Sequence, residues 1–112
     1  MASFSFTTHV AGGRAVIRTR GYLSRTAGEQ LEQEIVRILE GGVSRFIVNL
    51  HDTDLINSVG ISILIGVIER VRSQGGELAF SELTAVNEEI FRIMGLQRHA
   101  RMLRSDIEAD DQ

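Results

Sequence analysis

The sequence predicts an α/β fold in which three to four helices pack on a mixed sheet of four to five strands. Residues 45–50 (RFIVNL) have a continuous apolar centre, which is typical of a strand buried on both faces. Residues 26–40 and 58–73 repeat their apolar side chains at helical spacing. These segments fall in the order β-β-α-β-α-β-α, which favours crossover helices packed on a sheet.

The first half of the chain contains the predicted hairpin and the first helix. Phe4, Phe6, Thr8 and Val10 share one face of an extended segment, Gly12-Gly13 makes a turn, and residues 14–20 form a second strand, so residues 3–20 are predicted to be a hairpin. Residues 21–24 are predicted to form a loop. The helix over 26–40 ends at Gly41-Gly42, because glycine is a common C-terminal cap.

The second half continues the alternation of strands and helices. After the buried strand, residues 51–56 are predicted to form a short polar turn into the helix over 58–73. Residues 77–81 form the next predicted strand. Thr84 caps a short helix that ends at Gly95, and residues 96–103 form a last element of undetermined type.

Composition indicates one soluble domain without cofactor or metal. The chain has 112 residues, of which 43% are hydrophobic and 24% charged. It contains no cysteine, which excludes disulfides and thiolate metal sites. His9, His51 and His99 lie on separate predicted elements, so a shared metal site is not expected. No signal peptide or membrane span is evident, and the sequence therefore predicts a cytoplasmic protein with no membrane association.

The charge of the chain is concentrated at residues 105–112. The net charge is −3, and Asp106, Glu108, Asp110 and Asp111 contribute −4 of it, so −3 − (−4) leaves +1 for the rest. A nearly neutral body argues against nucleic acid as a partner. We expect a domain over residues 1–104 and a solvated acidic tail over residues 105–112.

The helix over 58–73 has two different faces. Its broad apolar face is predicted core and consists of Ile61, Leu64, Ile65, Val67, Ile68 and Val71. The opposite face begins with Ser58, Ser62 and Gly66, and has Val59 and Ile63 at its edge. Small hydroxyls and aliphatic edges suit close contact with another protein. They equally suit a plain helix start, in which Asn57 or Ser58 is the N-cap and the aliphatic residues bound the core.

The chain resembles the STAS family, and within it the stand-alone anti-sigma factor antagonists of bacteria. Residues 47–50 (IVNL) resemble the family's buried strand, and Asn57-Ser58-Val59-Gly60 resembles its Asp-Ser-Ser-Gly or Asp-Ser-Thr-Gly motif. Gly75-Gly76 and the segment ending in Gly95-Leu96 match later family features in order and spacing. The resemblance extends over about residues 4–104 and implies a single STAS-like domain.

The resemblance also implies a function and its residues. The family's phosphorylated serine corresponds to Ser58. The implied partners are an anti-sigma factor serine kinase, of the histidine-kinase-like ATPase type, and a serine phosphatase. The implied protein is a regulator of transcription by partner switching and has no enzymatic activity of its own. The expected partner-binding residues are Ser58, Val59, Ser62, Ile63, Gly66, Tyr22 and Ser24.

Three departures from the family pattern keep alternatives open. Asn57 replaces the motif's Asp, Val59 replaces its second Ser or Thr, and Tyr22 and Ser24 stand where acidic residues are frequent. One alternative is a scaffold or adaptor that binds its partner without a phosphorylation switch. Another is a domain that senses a small ligand, a nucleotide or a lipid, beside the helix that begins at Ser58. A hydrolase using Ser58 and His51 is disfavoured, since no nucleophile-elbow sequence surrounds the serine.

Overall fold

A computed structural model describes residues 3–107, and every structural statement below refers to this part of the chain. It confirms the predicted α/β class, with five strands and three α-helices in one compact domain. In chain order the elements are β1 (Ser5–Ala11), β2 (Arg14–Leu23), α1 (Arg25–Glu40), β3 (Arg45–Ile56), α2 (Ser58–Ser73), β4 (Glu77–Ser81), α3 (Ala85–Met94) and β5 (Arg101–Leu103). A 3₁₀ turn, Leu96–Arg98, precedes β5. No described helix is long and apolar enough to cross a bilayer.

The strands lie in the sheet in the order in which they occur in the chain. β1 pairs antiparallel with β2, and β2 through β5 run parallel to one another. Crossovers between parallel strands are right-handed, so a sheet that always grows in one direction collects its helices on a single face. The main core confirms this placement, because it joins residues of all three helices to one face of the sheet. Representative members are Leu31, Ile35, Leu64, Ile68, Phe91, Phe46, Val48 and Phe80.

Two strands are longer than the sequence indicated. β2 includes residues 21–23, which were predicted to be loop, and β3 includes residues 51–56, which were predicted to be turn. The β2–β3 ladder continues because register shifts after Arg18 and after Gly21 accommodate irregular backbone. Thr19 and Thr53 share a buried side-chain hydrogen bond beside these shifts. Thr53, one of the polar residues that indicated a turn, therefore links two extended strands.

The segment after β5 is attached to the sheet at Asp106. The Asp106 carboxylate accepts hydrogen bonds from Ser81 Oγ and from Asn49 Nδ2 (3.1 Å), and forms an ion pair with Arg18 at 2.9 Å. The prediction of a solvated tail is therefore wrong for Asp106, whose partners lie far away in the sequence. Glu108, Asp110 and Asp111 lie outside the described residues, and a domain boundary at residue 104 stays a prediction.

Candidate partner-binding site

Helix α2 begins on Asn57, next to the ends of β2 and β3. Asn57 Oδ1 accepts a hydrogen bond from Gly60 N at 2.7 Å, which is the usual geometry of an N-cap. Its Nδ2 donates to the Tyr22 hydroxyl at 3.0 Å. The choice between Asn57 and Ser58 as the cap is thereby settled in favour of Asn57, and the serine is left available for another role.

Gly60 is required for the close approach of α2 to β2. The Asn57 amide donates to the Leu23 carbonyl at 3.2 Å, which holds the helix start against the strand end. A Cβ atom at position 60 would lie 2.5 Å from that same carbonyl oxygen, well inside any allowed contact. The motif glycine therefore fixes where the first turn of α2, and Ser58 with it, lies on the domain.

Ser58 is the first residue of α2 and is exposed. Its hydroxyl makes no hydrogen bond to any residue between 3 and 107, and its carbonyl accepts one from Ser62 Oγ at 3.1 Å. The first amides of any α-helix lack helical acceptors, and they give this end a partial positive charge. The site thus presents an accessible hydroxyl next to N–H groups that favour an anion.

The residues of α2 that were predicted to contact a partner are only partly exposed to solvent. Ser62 and Gly66 are exposed along α2, and 39% of Val59 is exposed. Ile63 is half-buried instead, because it packs against Gly28 of α1, where an added Cβ would lie 3.2 Å from Ile63 Cδ1. Ile63 can therefore offer a partner only the edge of its side chain.

Tyr22 and Ser24 occupy different positions relative to the motif. Tyr22 is half-buried and bound to Asn57, so it belongs to the support of the helix start. Ser24 is the N-cap of α1, with Oγ accepting from Ala27 N at 3.5 Å, and its hydroxyl is already engaged in the fold. Neither contact excludes a partner nearby, and the contact role of both residues stays a prediction.

The sequence did not indicate Leu55 as a site residue. It pairs with Tyr22 in the β2–β3 register and is 47% exposed, which is unusual for a leucine near the end of a central strand. The sequence missed it because residues 51–56 were predicted to be a turn, whereas they belong to strand β3. Leu55 and Val59 are thus two exposed apolar side chains that lie three residues and one residue from Ser58 in the sequence.

The described part of the chain contains no candidate metal-binding site. Between residues 3 and 107, no three His, Asp or Glu side chains gather into a group that could hold a metal ion.

Comparison with known proteins identifies the family of this chain. The model of the STAS domain matches residues 5–109. The chain belongs to the STAS domain family. BtrV from Bordetella bronchiseptica, which bears the name of an anti-sigma factor antagonist, is 30% identical over 83 residues, covering 74% of this chain and 72% of that relative.

Solved structures of STAS proteins share the fold. Unphosphorylated SpoIIAA, an anti-sigma factor antagonist, is 22% identical with a TM-score of 0.74, covering 96% of this chain and 94% of that one. SpoIIAA of Bacillus in its phosphorylated form is 25% identical with a TM-score of 0.74, covering 96% and 97%. An anti-sigma factor antagonist from Mycobacterium paratuberculosis reaches a TM-score of 0.84 at 17% identity, covering 97% and 92%. The fold predicted from the resemblance is confirmed.

Proposed function

We propose that this STAS domain is an anti-sigma factor antagonist that binds an anti-sigma factor kinase through the start of α2 and is released when Ser58 is phosphorylated. The observation that carries the proposal is the exposed Ser58 hydroxyl, which has no hydrogen-bond partner among residues 3–107 because the neighbouring Asn57 caps the helix. The names of BtrV and SpoIIAA, and the existence of a phosphorylated form of SpoIIAA, support the same role. In this role the domain is a regulatory binding protein of the cytoplasm, reset by a phosphatase.

The physical basis of the switch is the surface around Ser58. A phosphate brings about −1.5 to −2 charges to a serine. In the free domain that charge lies in water, next to helix amides that favour it. In a complex it would have to be desolvated against Val59 and Leu55, which are apolar and exposed. A penalty of about 3 kcal/mol on binding corresponds to a loss of affinity of roughly a hundredfold.

Mass spectrometry of the domain after incubation with its anti-sigma factor kinase and ATP tests the proposal. We expect one added phosphate on the wild-type chain, none on Ser58→Ala, and one on Ser62→Ala. Ser62 is the matched control because it is an exposed hydroxyl one turn further along the same face. We also expect Ser58→Asp to weaken kinase binding in calorimetry, with Ser62→Asp weakening it less. An unmodified wild-type chain, or equal phosphate on Ser58→Ala, would refute the switch.

A non-switching adaptor is the second candidate, and the cap residue favours it. Asn57 gives the site a neutral side chain where the STAS motif has an acidic one, so no fixed negative charge adjoins the acceptor. An adaptor would bind the same partner with Ser58→Asp as tightly as with wild type. The ligand-sensing alternative also stays a prediction, and calorimetry with nucleotides and lipid headgroups would reveal it as measurable binding heat.

A further inference from the structure

The cap of α2 is held from strand β2 by two consecutive residues. Asn57 Nδ2 donates to the Tyr22 hydroxyl oxygen at 3.0 Å. The backbone amide of Asn57 donates to the carbonyl of the next residue of β2, Leu23, at 3.2 Å. The end of β2 therefore binds both the side chain and the backbone of the residue that begins the helix.

The backbone of β2 is irregular just before Tyr22. The β2–β3 register shifts there, so that Gly21 pairs with Thr53 whereas Tyr22 pairs with Leu55. Gly21 has a φ of +95°, which favours glycine, and a Cβ at this position would lie 2.6 Å from the Ser3 carbonyl oxygen. Bulges of this kind change the direction in which the following side chain points. The end of the strand is thus built so that the Tyr22 hydroxyl reaches the helix start.

The donors around the cap determine which way round the Asn57 amide lies. The Gly60 N–H is a donor, and it bonds to the amide oxygen of Asn57 at 2.7 Å. The amide NH₂ group is then turned towards Tyr22, whose oxygen accepts from it. A flipped amide would set its NH₂ group against the Gly60 N–H. The cap and the donation to Tyr22 therefore belong to one and the same orientation of Asn57.

This orientation bears on Ser58, because serine and asparagine are about equally good N-caps. While Asn57 caps α2, the exposed Ser58 hydroxyl has no hydrogen-bond partner among residues 3–107. If Asn57 left the cap, Ser58 Oγ could replace it one residue later, at the amide of Ile61, and the hydroxyl would then be engaged by the helix. By accepting from Asn57, Tyr22 opposes this exchange of caps.

We propose that Tyr22 is a positioning residue for the phosphorylation of Ser58, because it holds Asn57 in the cap and so keeps the serine hydroxyl free. This inference rests on the proposed function and adds to it. Tyr22 acts here through Asn57 and without touching the kinase, which distinguishes this role from the partner contact that the sequence predicts.

Steady-state phosphorylation of Tyr22→Phe by the anti-sigma factor kinase and ATP separates the two roles. The variant keeps the ring and removes only the acceptor oxygen. One neutral hydrogen bond shifts an equilibrium by roughly fivefold, so we expect kcat to fall several-fold at unchanged KM, since fewer chains present a free hydroxyl. An unchanged kcat, or a raised KM at unchanged kcat, would overturn the proposal.

Thr8→Val is the matched control for this measurement. It also removes one hydroxyl that bonds across the fold, in this case from β1 to Glu34 of α1. It should keep the kcat and KM of the wild-type chain. A fall in kcat equal to that of Tyr22→Phe would mean that any loss of stability slows phosphorylation, and it would count against a specific role of Tyr22.

A measurement without kinase keeps this inference separate from the proposed function. The Gly60 amide is buried and bonded to Asn57 Oδ1, so its hydrogen exchange, followed by NMR, reports whether Asn57 is in the cap. We expect Tyr22→Phe to speed this exchange several-fold in the wild-type chain. In an Asn57→Ser background the cap has no amide group for Tyr22 to bind, and Tyr22→Phe should leave the exchange unchanged.

The two arms fail in different ways. An equal change of Gly60 exchange in both backgrounds, or no change in the first, would overturn the role of Tyr22 even where Ser58 is phosphorylated. If the wild-type chain took no phosphate while the exchange followed the expected pattern, the proposed switch would be refuted, and the role of Tyr22 in holding Asn57 in the cap would be upheld.

Discussion

At the scale of single residues, two glycines of α2 have opposite requirements. Gly60 has no room for a side chain, since an added Cβ would lie 2.5 Å from the Leu23 carbonyl oxygen, whereas a Cβ at Gly66 would have nothing within 4 Å. Backbone atoms cannot rotate away as a side chain can, so Gly60→Ala must displace the helix start. At Gly66 the same change removes only the conformational freedom that glycine gives the unfolded chain.

We therefore expect these two substitutions to change stability in opposite directions. Gly60→Ala should lower the free energy of unfolding by about 1–3 kcal/mol. Gly66→Ala should raise it by about 0.5–1 kcal/mol. Urea denaturation followed by circular dichroism measures both on the same scale. Equal effects at the two positions would mean that the contact between α2 and β2 does not constrain residue 60.

The start of helix α2 was largely predictable at this scale because its signals are local. A small polar residue ahead of an aliphatic helix indicates a cap, and the sequence correctly limited the cap to Asn57 or Ser58. It could not decide between them, since the deciding contacts are those of Asn57 with Gly60 and with Tyr22, the latter 35 residues away. Two further contacts could not be predicted from the sequence either, because they depend on how the helices pack. Ser24 caps α1, and Ile63 packs against Gly28.

At the scale of elements, a charged hydrogen bond links the antiparallel strand β1 to the first helix. Thr8 Oγ1 donates to Glu34 Oε2 at 2.7 Å, across 26 residues of sequence. This hydrogen bond, followed by those of Arg37, lowers the pKa of Glu34 below its ordinary value of 4.5, and burial opposes the shift. A carboxyl whose pKa is lower in the folded chain adds stability above its unfolded pKa, and this stability is lost as the pH falls through the folded pKa.

Thr8→Val should therefore destabilise the protein in a way that depends on pH. We expect a loss of about 1 kcal/mol at pH 7, where Glu34 is ionised in both states and loses its donor. The difference from wild type should shrink as the pH falls below 4.5 and through the lowered pKa of Glu34, since the carboxyl is then protonated in both chains. Thermal unfolding from pH 3 to 7 measures it. Thr7→Val is the control, because Thr7 is exposed on the same strand, and a loss independent of pH would contradict the assignment to Glu34.

The elements were predicted best where periodicity is strong and worst where polar residues lie in strands. The helices and β4 matched their predicted spans closely because apolar spacing marks them. Residues 51–54 of β3 are polar, so residues 51–56 were assigned to a turn, although this segment pairs with β2 through a bulged ladder. Pairing of this kind depends on Thr19 and Thr53, which only the tertiary structure brings together.

At the scale of the whole molecule, the sequence could give the sum of charges but not their placement. A body charge of +1 argued against nucleic acid as a partner, which would need a clustered basic face. The sheet instead gathers Arg14, Arg18, Arg45 and Arg101 on one face, because residues two apart on a strand and aligned on its neighbours point the same way. Asp106 looked like part of a tail for the same reason, since its partners belong to β2, β3 and β4.

Asp106 is the residue that joins this end of the chain to the rest of the sheet. Its carboxylate accepts from Ser81, which is completely buried, and from Asn49, which is 4% exposed, while Arg18 pairs with it from β2. Removing the carboxylate leaves buried donors with fewer acceptors, and an unsatisfied buried polar group costs about 1–3 kcal/mol. Asp106→Ala should therefore lower the free energy of unfolding by that amount. Asp106→Asn, which keeps one acceptor oxygen, should lower it by less.

The control for this prediction is the next residue in the chain. Ile107 is 72% exposed, and Ile107→Ala should leave the stability within about 0.5 kcal/mol of wild type. Urea unfolding of the three variants measures the ranking Asp106→Ala, Asp106→Asn, Ile107→Ala, from the largest loss to the smallest. If Asp106→Ala were as stable as Ile107→Ala, the segment after β5 would contribute nothing to the fold. The expected ranking would instead mean that the stable domain extends past residue 104, because the Asp106 carboxylate contacts side chains of three strands.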